Sequence, residues 1–269
     1  MAKISDDDRH KYFEKISGYK TAADSLLKLE KNILMVIKKD PGGAAFKRLS
    51  LTDEMLNLAS NYITISGVSQ SVLKVKNEDA LNDGRKSLYK SVIYLEEIVS
   101  NLIDAPYSDY EEKLTEIQSV DAARRYLLVR KMGLAIELLE HAYGDNTKWK
   151  WAFVELEGRY AAVTKNILDL RNAVANTDPR SPNYEPVMYH LRLVKRLLMQ
   201  AADRYREKYE LSTNRIDDFK MGITFLSSLW RIHAVLGDRE EAETVKKKLD
   251  IWAAKLEADL KKKEDPKKV

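Results

Sequence analysis

Cysteine is absent from the 269-residue chain, which rules out disulfides and thiolate chemistry and leaves the compartment open on that count. Glycine and proline are scarce, at ten and six residues. A chain with so few turn formers has little room for many-stranded sheets and suits a few long helices. No run of about 18 apolar residues occurs, so no membrane span is expected. The stretch Met1 to Tyr12 is polar, carries Asp6, Asp7 and Asp8, and holds no apolar core for export; the cytoplasm is the expected location. An excess of one charge is lacking too. The +4 balance is a small difference between 46 basic and 42 acidic residues, which describes a solvated surface rather than the footprint of an obligate nucleic-acid binder.

The signatures of catalysis are equally thin. Only four histidines are present, His10, His141, His190 and His233. None follows a glutamate by the three residues that a di-metal bundle site needs, and HExxH is missing. There is no Walker sequence, no GxGxxG and no GxSxG. Asp40-Pro41-Gly42-Gly43 precedes Lys47 and Arg48 without phosphate-loop spacing or a strand before it. The pairs Glu96-Glu97 and Glu111-Glu112 are adjacent on helices, so they diverge by about 100° and cannot share a proton. Helical enzymes of isoprenoid chemistry use DDxxD clusters; here Asp6-Asp7-Asp8 marks a helix start instead. No enzymatic activity, metal or cofactor is expected.

What the chain has is helical periodicity, an all-α reading. At this length it can bury about three quarters of its unfolded surface and needs no covalent staple. Ser5 with three aspartates opens a first helix to Asp40, with a pause expected at Gly18. Thr52-Asp53-Glu54 opens a second, which takes in the alternating segment Tyr62 to Ser66 and has its weak spot at Gly67. A third spans about Asn77 to Asp104. From Ser108, with Glu111 in capping-box position, a single helix of about 36 residues, roughly 54 Å, is expected to Gly144. Its second half is apolar around more than half its girth, so it should be covered on several sides. Asp145-Asn146-Thr147 then makes a turn and cap. The next helix runs from Trp149 to Val174, and Asn176 to Asn183 is the longest break, a hinge or boundary candidate. Pro186 suits the first turn of a helix to about Leu211, Ser212-Thr213-Asn214 cap the next, and Gly237-Asp238 turns into the last. The expectation is about eight mostly antiparallel helices in a bundle or short α-solenoid. Residues 1–176 would form an N-terminal bundle and 183–260 C-terminal hairpins packed on it, or both one continuous domain, with 261–269 a frayed charged tail.

One stretch carries a resemblance. Leu226, Leu229, Trp230 and His233, the turn Gly237-Asp238, then Glu240-Glu241-Ala242 and Leu249 fall near the spacing of one tetratricopeptide hairpin. The stretch 226–254 therefore resembles a single such unit, about a tenth of the chain. Trp230 stands where that family prefers a small residue and Lys246 where it prefers an aromatic. No second copy of the turn phrase recurs at a fixed period. The resemblance implies a scaffold that docks peptide segments or partner proteins and assigns no binding residue.

Fourteen tyrosines and four tryptophans without a catalytic constellation favour a protein that works by contact, because aromatics and arginine most often anchor interfaces. The expected contact residues are Trp149, Trp151, Tyr189, Arg192, Lys195, Arg196, Tyr205, Trp230 and Trp252, around a groove flanking 177–183. The first reading is a non-enzymatic adaptor or scaffold that binds another protein or itself. The second is a nucleic-acid-associated protein. Its basic-aromatic helix 189–209 would place Arg192, Lys195 and Arg196 on one face able to track phosphates.

Overall fold

The computed structural model of the protein describes residues 4–144 and 147–264. Among them it is all-α. Ten α-helices occur: α1 (Asp6–Lys39), α2 (Ala44–Leu73), α3 (Glu78–Ile98), α4 (Glu111–Thr115), α5 (Ala122–Tyr143), α6 (Lys150–Ile167), α7 (Leu170–Ala175), α8 (Tyr184–Lys208), α9 (Ile216–Leu236) and α10 (Arg239–Glu264). A 3-10 turn precedes α4 and a π turn, Tyr209–Thr213, follows α8. None of these helices is long and apolar enough to cross a membrane. The expected turn at Asp145-Asn146 and the last residues of the tail, 265–269, lie outside the described residues, and α10 continues to Glu264 past the start of the charged stretch.

The count exceeds eight because two expected helices are each split. The helix expected from Ser108 to Gly144 is interrupted at 116–121. Asp121 takes an extended conformation and accepts from the Arg124 amide, which starts α5 afresh. Arg125, only 5% exposed, then donates to two carbonyls of the break, 2.9 Å to Val120 O from Nε and 2.9 Å to Ile117 O, which also accepts from Val120 N. Likewise Asp169 is extended and caps α7 through the Asn172 amide, separating it from α6. Other expectations shift less. Gly18 does not interrupt α1, and α2 runs straight through Gly67. It begins at Ala44, after Gly43 in the left-handed region, so Thr52 is an interior residue whose hydroxyl donates to Arg48 O. Gly144 ends α5 as expected, at φ 78°.

The chain divides into two compact units, residues 1–100 with 113–150, and residues 101–112 with 151–269. In the first unit α1, α2, α3 and α5 lie side by side. Glu30 of α1 meets Tyr94 and Lys90 of α3, Arg48 at the start of α2 meets Glu97 at the end of α3, and Tyr143 at the end of α5 meets Asn82 near the start of α3. Neighbours in sequence therefore alternate in direction. The buried residues Ile16, Ala23, Glu30 and Ile37 recur every seven along α1, the spacing that keeps one seam of a long helix against its neighbour. The core behind it contains Leu51, Met55, Leu58, Leu88, Val92 and Leu95.

In the second unit α8 runs antiparallel to α6 and α9, and α10 returns along α9. Arg204 of α8 pairs with Glu157 of α6, His190 Nε2 lies 2.9 Å from Thr164 O, and Lys208 pairs with Asp218 of α9. An aromatic file fills the interior. Tyr205 stacks on Phe225 at 5.6 Å, Tyr209 on Phe219 at 5.0 Å, and Phe219 meets Trp252 at 5.7 Å. Two glycines let helices close on this file. A Cβ at Gly158 would stand 2.7 Å from the Tyr205 ring, and one at Gly222 would stand 3.0 Å from Ala202 O. The break at 177–183 lies inside this unit, between α7 and α8. It is closed by local bonds, Asp178 accepting from Arg180 N and Ser181 N.

Candidate contact surfaces

α5 is apolar on two opposite sides. Val129, Met132, Ala135, Ile136 and Leu139 face into the first unit. At about 100° per residue, Leu127, Leu134 and Leu138 fall within about 40° of one another on the opposite side. They stand 57%, 55% and 46% exposed. The sequence led us to expect cover on several sides of this helix, and among the described residues only the side facing into the first unit has it. Arg130 and Glu137 flank the leucines on one edge, seven residues apart, and neither forms an ion pair among the described residues. The other edge carries Lys131, held by Asp53 at 2.6 Å and Asn57 at 2.8 Å. The charge order along the helix, Arg124 and Arg130 early, Glu137 and Glu140 late, opposes the preference set by the helix dipole. Covering each leucine's remaining half would return about 1 kcal/mol apiece, half the value for full burial.

A second surface lies on α8. Tyr189, Arg192 and Arg196 are exposed and, at spacings of three and four, share one face. Lys195 leaves that set. Its ammonium is 2.5 Å from Asp238 at the α9–α10 turn, and His233 Nδ1 is 3.1 Å from the same carboxylate. The hydrogen bond from Lys195 first, and that from His233, hold the Asp238 carboxyl below the usual carboxylate range. Tyr205 and Trp252 point inward, into the aromatic file. Trp230 is partly exposed on α9, and Trp151 is half-buried. Trp149 is half-buried under the Arg85 guanidinium, 4.0 Å above its ring, and its Nε1 finds no acceptor among the described residues. Within the second unit, Tyr189, Arg192 and Arg196 thus make a shared outer face that Lys195, Tyr205 and Trp252 do not join.

The chemistry least expected from the sequence is a buried amine. Lys165, near the end of α6, is 3% exposed. Burial, with Arg231 adding to it and Asp104 opposing, lowers its pKa to about 8. A lysine of that kind can serve as a nucleophile or base. Here its ammonium lies 3.5 Å from Ala105 O and 5.1 Å from the centre of the Tyr110 ring. The neighbouring groups do the same work. Asn166 donates to Leu102 O, Ser228 to Ile103 O, and Arg231 pairs with Asp104. Tyr107 donates to Asp169, and Arg171 pairs with Glu111. The irregular segment 102–111 has no helix of its own for most of its length, so side chains satisfy its polar groups. Lys165 is one of these anchors.

The TP0443 family model matches residues 8–260, the greater part of the chain. The chain belongs to the TP0443 family. No curated protein and no solved structure matches the sequence significantly. The TP0443 match takes in α5, α8 and the Lys165 anchor alike.

Sequence reading missed both the outward leucines of α5 and Lys165 in this TP0443-family chain. The first had a signal: Leu127, Leu134 and Leu138 repeat at seven and four on the side opposite Met132 and Leu139. The second had one too, a lone cation inside Tyr160 to Leu168, a run otherwise without charge.

Proposed function

We propose that this TP0443-family chain is a non-enzymatic helical adaptor that grips a protein partner along the outer side of α5. One observation carries the reading: three half-exposed leucines aligned on an ordered helix whose opposite side already fills a core. Contiguous apolar surface rimmed by charge marks association sites more often than chance solvent exposure. The resemblance of 226–254 to a tetratricopeptide unit agrees with this reading, since α9 and α10 form a helical hairpin about Gly237. The cytoplasm is the compartment in which we expect it to act.

The test is photo-crosslinking in the cells that make the protein, with a photoreactive side chain in place of Leu127. A protein adduct that disappears on adding Leu134→Glu, with the circular dichroism and melting curve of the purified chain unchanged, is the expected result. Absence of any protein adduct overturns the reading.

The face shared by Tyr189, Arg192 and Arg196 favours a second reading, association with single-stranded nucleic acid through two cations and one stacking ring. Under it, Arg192→Glu with Arg196→Glu abolishes gel retardation of an oligonucleotide at low salt. If the unaltered chain retards none, this reading fails.

A further inference from the structure

We propose that the partner on α5 is a second copy of this chain, paired antiparallel across a two-fold axis near Leu134. The proposal rests on the contact reading above and names its partner. A two-fold pairing places a surface against itself, so the stripe must be complementary to its own reverse. It is. With the axis beside position 133, Leu134 lies about 3 Å along the helix from its symmetry mate, and Leu127 of each copy meets Leu138 of the other to within about one residue's rise. In the antiparallel arrangement the same edge of each helix lies together, so Arg130 faces Glu137 of the other copy, twice per dimer. These two side chains are the flanking charges that no group in the chain pairs among the described residues. A parallel arrangement would instead bring Arg130 toward the edge that carries Arg124 and Lys131, all of one sign. The antiparallel arrangement also sets the basic early half of α5 against the acidic late half, and opposes the two helix dipoles favourably. Charge complementarity selects both the occupant and its direction.

A single helix face is a small interface, so dimers are expected to form at about 10–100 μM. Sedimentation equilibrium of the purified full chain is the first measurement. A concentration-dependent dimer that becomes monomer on Leu134→Glu is expected; a monomer throughout that range overturns the proposal. Direction is read by charge exchange. Arg130→Glu and Glu137→Arg should each weaken association by at least about tenfold, and the two variants mixed should form a heterodimer. A dimer indifferent to both substitutions overturns the antiparallel pairing.

The cysteine-free sequence gives an independent reading. Under mild oxidation Leu134→Cys should form a disulfide-linked dimer, because its position lies near the axis. Leu127→Cys alone should not, its symmetry mate being roughly 18 Å away along the axis at 1.5 Å per residue. Leu127→Cys combined with Leu138→Cys should. Linkage of Leu127→Cys alone and Leu138→Cys alone, as well as Leu134→Cys, would mean a parallel pair. A purified monomer that still crosslinks through position 127 to a different protein in cells would remove self-pairing and leave the adaptor reading standing.

Discussion

The Tyr94 hydroxyl donates a 2.5 Å hydrogen bond to Glu30 Oε1, and Lys90 Nζ sits 2.7 Å from the other oxygen of the same carboxylate. Glu30 is buried in the α1 seam, where Ile16, Ala23 and Ile37 hold the equivalent positions. A carboxylate there is tolerated because both oxygens are satisfied. Removing one partner exposes the asymmetry of buried hydrogen bonds: Tyr94→Phe leaves the carboxylate under-bonded and should cost about 1–3 kcal/mol in urea unfolding. Glu30→Gln combined with Tyr94→Phe should cost less than the two single losses added together, since they share one interaction. Simple additivity would mean the pair is uncoupled. The alkaline limb offers a second readout. Burial first, then the bond to Glu30, raises the Tyr94 pKa. A raised folded value means that the folded chain holds the proton more tightly. Its stabilising contribution is present below the unfolded value near pH 10 and is lost above it. Tyr94→Phe should flatten that loss.

Arg125 predicts the behaviour of the break before α5. Its guanidinium bonds two carbonyls of the 117–120 segment while almost wholly buried. Arg125→Lys keeps the charge but not the planar fork, so it should destabilise by about 1–3 kcal/mol. Arg124→Lys, one residue away and exposed, should change stability by less than about 0.5 kcal/mol. Equal effects at the two positions would show that the fork is not what holds the break. Amide exchange at Ile117 to Asp121 should accelerate only in the first variant.

The same residue shows what could and could not be read in the sequence. Periodicity located nearly every helix, because apolar spacing of three and four survives any context. It gave no warning of the break at 116–121. Leu114, Ile117 and Val120 keep helical spacing across it, while Asp121 caps a new helix and Arg125 bonds back to Ile117 O and Val120 O, neither of which apolar spacing reports. Caps misled where two were on offer. Thr52-Asp53-Glu54 reads as a start, yet Gly43 at φ 63° begins the helix nine residues earlier. At the surfaces, residue type alone could not separate Tyr205 and Trp252, which fill the aromatic file, from Tyr189, which stands outside. Aromatics serve cores and interfaces equally well.

Two helical glycines make a matched pair. Gly158 faces the Tyr205 ring at a distance no Cβ can share, whereas Gly18, in the middle of α1, has nothing within 4 Å. Gly158→Ala should destabilise by about 1–3 kcal/mol through overpacking. Gly18→Ala should stabilise by roughly 0.4–1 kcal/mol, because alanine loses less backbone freedom on folding. Thermal unfolding of the two variants decides the matter. Like signs would mean that the approach of α6 to the aromatic file is looser than described.

Lys165 sets the pH profile. Burial lowers its pKa to about 8, while an unfolded lysine titrates near pH 10. Between those values the unfolded chain binds more protons than the folded one, so stability rises with pH across that window. Below pH 8 the folded state carries the full cost of a buried ammonium, on the order of 3 kcal/mol. The wild-type chain should therefore resist urea better at pH 9.5 than at pH 7. Lys165→Met removes the charge and its desolvation cost but also the bond to Ala105 O. At pH 7 these oppose, and desolvation is the larger, so the variant should be at least as stable as wild type there. At pH 9.5 its advantage should vanish. A wild-type profile flat from pH 7 to 9.5 would show that the amine is not buried as a charge, and a large loss in the methionine variant at both pH values would make the carbonyl bond dominant.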